Sequence, residues 1–144
     1  MRAVLDPNVI ISGLISPTGA PAEVLRALER GEFELVASAA LLDELSRALA
    51  YPKLRRRISA DDAEAATGWI EQSGTSAADP RQPPEFRSAD AGDDYLIALA
   101  AAEQAILVSG DQHLLTLADE IPVRSPRQFL ELLAVTSGGT EPRS

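Results

Sequence analysis

The chain has 144 residues, of which 45% are hydrophobic, 24% charged and only 4% aromatic, room for one soluble domain whose core is built from Leu, Ile, Val and Ala. No stretch approaches the roughly 18 apolar residues of a membrane span, and the absence of cysteine excludes disulfides, zinc–thiolate sites and thiol nucleophiles. The net charge is −9, from 22 acids and 13 bases, so a nucleic-acid partner cannot be held by bulk charge and would need bound divalent cations or a basic partner protein to offset phosphate repulsion.

In chain order, Arg2-Ala3-Val4-Leu5 reads as a short buried strand stopped by Asp6-Pro7. Asp6 comes too early for a signal-peptide apolar segment, and the expected compartment is the cytoplasm. Pro7 suits the first turn of a helix, where its missing N–H costs nothing. An apolar helix is expected over Val9–Ile15 and another over Ala20–Arg30, where Val24, Leu25 and Leu28 keep helical spacing and Gly31 ends the run. Phe33–Ala37 is a strand. Ser38 then caps a helix over Ala39–Ala50 with Leu41, Leu42, Leu45 and Leu49 along one stripe. Tyr51-Pro52 breaks it, the basic turn Lys53-Leu54-Arg55-Arg56-Arg57 follows, and a helix from Ser59 to about Gln72 carries Trp69 and Ile70. Residues 73–92, rich in Ser, Pro, Asp and Gly, read as a long connection with room for one short strand.

A helix over Asp93–Gln104, a strand over Ala105–Ser109 and a helix over Asp111–Ala118 come next. An edge strand at Ile121–Val123, where proline is tolerated, and a helix from Pro126 to about Val135 complete a domain of residues 1–135. Thr136–Ser144 has the composition of a disordered tail. Strands alternating with helices imply an α/β fold with a mostly parallel sheet. Ligand sites on such sheets sit at the carboxyl ends of the strands.

Acids gather at those ends. Asp6 follows the first strand, and Asp111 follows Ile106–Val108 after Ser109-Gly110. Asp93 and Asp94 open the helix that leads into that strand, and Glu44 lies one turn into the helix after Phe33–Ala37. On a parallel sheet, segments far apart in the chain thus deliver acids to one rim. Clustered carboxylates raise one another's pKa unless a cation sits among them, and a hard divalent ion with oxygen ligands meets that need. Plainer roles exist for most of them: Asp94 at a helix N-terminus, Glu44 on a solvated face, Asp111 as a cap. Asp6 is harder to explain so, since an unpaired charge closing an apolar strand is costly. The one histidine, His113, reads as a surface helix residue.

Four motifs in order resemble the PIN-domain ribonucleases over about residues 1–133: Val4-Leu5-Asp6-Pro7-Asn8-Val9, Leu41-Leu42-Asp43-Glu44-Leu45, Asp93-Asp94-Tyr95-Leu96-Ile97-Ala98 and Val108-Ser109-Gly110-Asp111. Their spacing is similar to that of the toxins of toxin–antitoxin systems related to VapC. The resemblance implies a three-layer α/β/α domain with a mostly parallel central sheet, and metal-dependent cleavage of RNA. It makes Asp6, Glu44, Asp94 and Asp111 the acidic quartet. Asp93 is an alternative or additional ligand, because adjacent acids leave the match ambiguous by one residue; Asp94 is preferred for standing three residues before Ile97-Ala98. Asn8 would orient Asp6, and Ser109 would support the metal shell. Pro7 departs from the hydroxyl residue that many relatives carry.

The expected reaction is hydrolysis of an RNA phosphodiester with Mg²⁺ or Mn²⁺ held by Asp6, Asp94 and Asp111, Glu44 binding a second ion or orienting water. A cognate antitoxin protein and a homodimer, in part through the helix near residues 20–30, are the partners the resemblance implies; no membrane is expected. Lys53, Arg55, Arg56 and Arg57 form the one dense positive patch, read as an RNA phosphate contact, a solvated segment or a dock for an acidic antitoxin segment. Tyr51 and Trp69 suit base stacking, or for Trp69 the core or an interface. Alternatives are a non-toxin nuclease of the same type, another phosphoryl-transfer enzyme and a catalytically silent protein-binding module. A haloacid-dehalogenase-like phosphatase would need an acid where Asn8 stands, and a silent scaffold gains nothing from five repelling acids.

Overall fold

The computed structural model describes residues 1–81 and 94–140, with side chains to 136. Strand β1 (Arg2–Leu5) passes directly into helix α1 (Pro7–Ile15), because Asp6 is the cap and Pro7 the first helical residue. Then come α2 (Ala20–Glu29), β2 (Glu34–Ala37), α3 (Ala39–Leu49), α4 (Pro52–Arg55), α5 (Ala60–Ser73) and β3 (Gly74–Ser76). The chain ends with α6 (Asp94–Ala102), β4 (Ile106–Val108), α7 (Gln112–Leu115), β5 (Val123–Arg124) and α8 (Pro126–Thr140). The five strands among the described residues pair in parallel in one sheet of order β3-β2-β1-β4-β5. The fold is the three-layer α/β/α arrangement that the resemblance implies, with the parallel sheet that the alternation of elements predicts.

Strand β1 is central, and successive residues Ala3, Val4 and Leu5 are all fully buried. Neighbouring strand residues point to opposite faces, so both faces of the sheet are covered, as a parallel sheet requires. On α3, Leu41, Leu45 and Leu49 recur every fourth residue and are at most 1% exposed, while Ser38 Oγ accepts the Leu41 N–H. Phe33 and Phe129 meet edge to face, 5.0 Å between ring centroids, and join the approach to β2 to α8.

Several boundaries differ from expectation. Pro52 does more than break α3: at the first position it starts the one-turn helix α4 inside the basic segment. Helix α7 is one turn long, because the N–H groups of Leu117 and Ala118 reach back three residues instead of four. The last strand begins later than Ile121, whose N–H is taken by Leu117 O in the preceding turn; pairing settles on Val123 and Arg124. Helix α8 continues past Val135 to Thr140, no proline standing in its way before Pro142. Asp93 and residues 141–144 of the expected tail lie outside the described residues.

The strand order reverses at β1. From there the chain moves outward to β2 and β3, then crosses to β4 on the other side. The crevice at the carboxyl ends of β1 and β4 is therefore the topological switch point, where sheets of this kind take their ligands. The register pairs Leu5 with Val108, which sets Asp6 beside Ser109.

Candidate active site

Asp6 extends the β1–β4 ladder by one bond, its N–H donating to Val108 O at 2.9 Å, before the chain turns into α1. It is 3% exposed, and both carboxylate oxygens are held. Oδ1 accepts the Asn8 N–H at 2.9 Å, which caps α1, and Oδ2 accepts the Ser109 hydroxyl at 2.8 Å. Ser109 is fully buried, and its oxygen accepts the Asp111 N–H at 3.0 Å. One hydroxyl thus ties together the acids that follow β1 and β4. Asp111 Oδ1 caps α7 by accepting the His113 N–H at 2.8 Å, so the plainer role foreseen for Asp111 is filled by one of its oxygens.

An open cavity of about 340 Å³ lies over these groups, lined by Asp6, Asn8, Val9, Ser12, Gly110 and Asp111 and bounded by Pro21 and Pro126. A larger hollow of about 500 Å³, along Asp119, Arg124, Gln128 and Glu131, contains none of the expected acids. The smaller one contains Asp6 and Asp111.

Glu44 comes in from α3. It is half-buried, and its Oε1 accepts the phenolic proton of Tyr95, the second residue of α6. The solvated face expected for this acid is thus only partly realised. Burial dominates the Asp6 carboxyl and pushes its pKa above the ordinary 3.8; the bonds from Asn8 and Ser109 pull it down, and the charges of Glu44 and Asp111 push it up again. These three acids, from three separate elements, share one electrostatic neighbourhood.

The remaining expected residues fall as follows. Asp94 is the first residue of α6 and half-buried, while Asp93 lies outside the described residues. Asn8 holds Asp6 through its main-chain N–H; its side chain is exposed at the cavity. Lys53, Arg55, Arg56 and Arg57 are exposed on α4 and the turn after it, and none lines this cavity. Trp69 is half-buried in a different groove, beside Gly13, Leu14 and Leu25. His113 is exposed and contributes its backbone N–H. The sequence does not single out Tyr95 as a site residue, though its place directly after the Asp93-Asp94 pair sets it in the first turn of the helix that carries the third acid.

Among the described residues, no three His, Asp or Glu side chains form a ready-made metal-binding group. Mg²⁺ does not demand one, since it usually binds through one or two carboxylates and completes its octahedron with water and phosphate oxygens. The donors at the cavity suit such an ion: they are hard oxygens, and the buried Asp6 carboxylate carries a charge that its two hydrogen bonds only partly compensate. No helix among the described residues is long and apolar enough to cross a membrane.

Across nearly its whole length the chain is similar to the uncharacterized protein MJ1680 of Methanocaldococcus jannaschii, with 27% identity over 142 residues, 91% of this chain and 90% of the other. The PIN domain matches residues 2–113, from the first residue of β1 to the second of α7, a span that encloses Asp6, Glu44, Asp94 and Asp111. The chain belongs to the PIN domain family, a superfamily of nucleases that are generally metal-dependent.

Proposed function

We propose that the protein is a Mg²⁺- or Mn²⁺-dependent endoribonuclease that hydrolyses RNA phosphodiester bonds at the carboxyl edge of β1 and β4. The observation that carries this reading is the buried Asp6 carboxylate at the switch point, held on both oxygens, with Glu44 and Asp111 bearing on it. Asp6, Glu44, Asp94 and Asp111, with Asp93 beside Asp94, would hold the cation. When bound, it supplies positive charge that offsets the phosphate and raises the acidity of water at the site.

The protein's own contribution is positioning. The single Ser109 proton is committed to Asp6 Oδ2, which favours the ionised form and fixes its direction. The Asn8 N–H fixes the other oxygen, and the Tyr95 hydroxyl restrains Glu44. Gly110 leaves the cavity wall without a side chain between Ser109 and Asp111, where a polynucleotide backbone can approach. Asp6→Asn keeps the shape and removes the charge. Purified with Mn²⁺ and offered several RNAs, it should cleave at least about a hundredfold more slowly than wild type, the scale on which one preorganised electrostatic group is felt. Equal cleavage by the two proteins defeats the reading.

On the similarity of its motifs the protein would be the toxin of a type II pair, a homodimer bound by its antitoxin. Growth arrest on induction, relieved by a neighbouring open reading frame, tests that role separately from cleavage. A silent protein-binding module is the second reading. It is favoured by the engagement of Glu44 with Tyr95. Such a module would show no Mn²⁺-dependent change in melting temperature.

A further inference from the structure

Among the described residues some cations are held by acids and others are not, and of the unpaired ones Arg81, Arg124 and Arg127 stand apart in the chain while four fall together. Arg2 pairs with Glu34 and Glu103, Arg26 with Glu23, Arg30 with Glu32 and Arg47 with Asp43. Lys53, Arg55, Arg56 and Arg57 do not: among the described residues none of the four takes part in an ion pair, and all are exposed. Arg55 borders a groove that also contains Glu64 and Glu71, yet bridges to neither. In a molecule of net charge −9, four exposed cations within five residues of chain, repelling one another and in no ion pair, form a surface complementary to an external anion.

Tyr51 adds a second feature. It is 64% exposed, one of three large apolar side chains so placed among the described residues, and directly precedes α4. Cations that follow a backbone, next to an uncovered aromatic ring, are what an unpaired polynucleotide uses: phosphates on the charges, a base on the ring. An acidic peptide would use the charges but has no base for Tyr51.

The placement agrees. Glu44 lies on α3 and Tyr51 two residues beyond its last residue, Leu49, so one short run of chain connects the acid to the basic segment. We propose that Tyr51, Lys53, Arg55, Arg56 and Arg57 form a docking surface for single-stranded RNA, an inference that rests on the nuclease reading for the identity of the strand.

The test is fluorescence anisotropy of a labelled twelve-nucleotide uridine RNA in EDTA, so that binding is read apart from cleavage. Single-strand binding loses about 0.7 in the slope of log K against log salt for each phosphate neutralised, so four contacts give a slope near −2.8. The variant K53Q/R55Q/R56Q/R57Q, altered only at exposed positions, should bind at least about tenfold more weakly with a slope near zero. Arg30→Gln, the control for lost charge elsewhere, should match wild type. Tyr51→Ala should weaken binding about tenfold and leave the slope unchanged, the loss expected when one base is unstacked. Wild-type affinity and slope in the quadruple variant would overturn the proposal, as would a poly-glutamate peptide that binds the surface when RNA does not. A protein that binds RNA through this surface but never cuts it removes the nuclease reading and leaves the surface standing.

Discussion

At the scale of single residues, Asp6 is hydrogen-bonded on both oxygens and yet penalised by burial when charged. Burial raises its pKa, and Glu44 and Asp111 add to the rise, so the folded protein binds this proton more tightly than the unfolded chain does. Below pH 3.8 both states are protonated. As pH climbs from 3.8 through the raised folded value, the unfolded chain loses the proton first, and stability falls across that window before levelling off. Asp6→Asn should remove this fall. In chemical denaturation with EDTA, the variant's stability minus that of wild type is expected to grow with pH through the window; a flat difference would show that the charge costs the fold nothing. Asp6 and Asp111 were legible in the sequence because each directly follows an apolar run. Tyr95 was not, since its bond to Glu44 spans 51 positions and depends on how α3 and α6 are brought together. Nor does the sequence reveal that Asn8 acts through its backbone, a role open to any residue except proline.

At the scale of elements, the caps decide where helices begin, and some are local while others are not. Ser38 caps α3 and Ser59 caps α5 from the adjoining position, which is why both starts could be read from the sequence. Asp79 also serves α3, its Oδ2 accepting the Ala40 N–H at 2.9 Å across 39 positions, and no local pattern announces it. The cavity wall depends on a close contact between the consecutive helices α1 and α2. A Cβ on Gly13 would stand 2.7 Å from Leu25 Cδ1 and 2.9 Å from the Pro21 carbonyl oxygen. The leucine can rotate, but the carbonyl belongs to the backbone of α2, so that helix has to move. Gly13→Ala is therefore expected to cost about 1–3 kcal/mol, the usual range for overpacking, read as a lower denaturation midpoint. Ser12 and Pro21 both border the cavity, so RNA cleavage should fall as well. Wild-type stability in this variant would mean that α1 and α2 are not held this closely.

For the whole molecule, alternation of strands and helices was enough to predict a parallel sheet, because only crossovers of helical length join parallel neighbours. The order β3-β2-β1-β4-β5 was not written in any one segment; it follows from which apolar faces cover one another, and so from packing across the whole chain. That order puts the reversal at β1 and hence Asp6 beside Ser109 and Asp111. An acidic protein with a partly compensated buried carboxylate gains stability from any cation that binds the folded state alone. At about a hundred times its Kd, Mn²⁺ would add roughly 2.7 kcal/mol, or on the order of 5–10 °C in Tm for a chain of this size. Asp6→Asn should melt above wild type in EDTA, freed of the buried charge, and below it in saturating Mn²⁺, which the variant no longer binds. The crossing is the informative result. If Mn²⁺ leaves the wild-type Tm unmoved, the carboxylates do not gather a cation; if it raises both proteins equally, the ion binds away from Asp6 and the switch point is not its site.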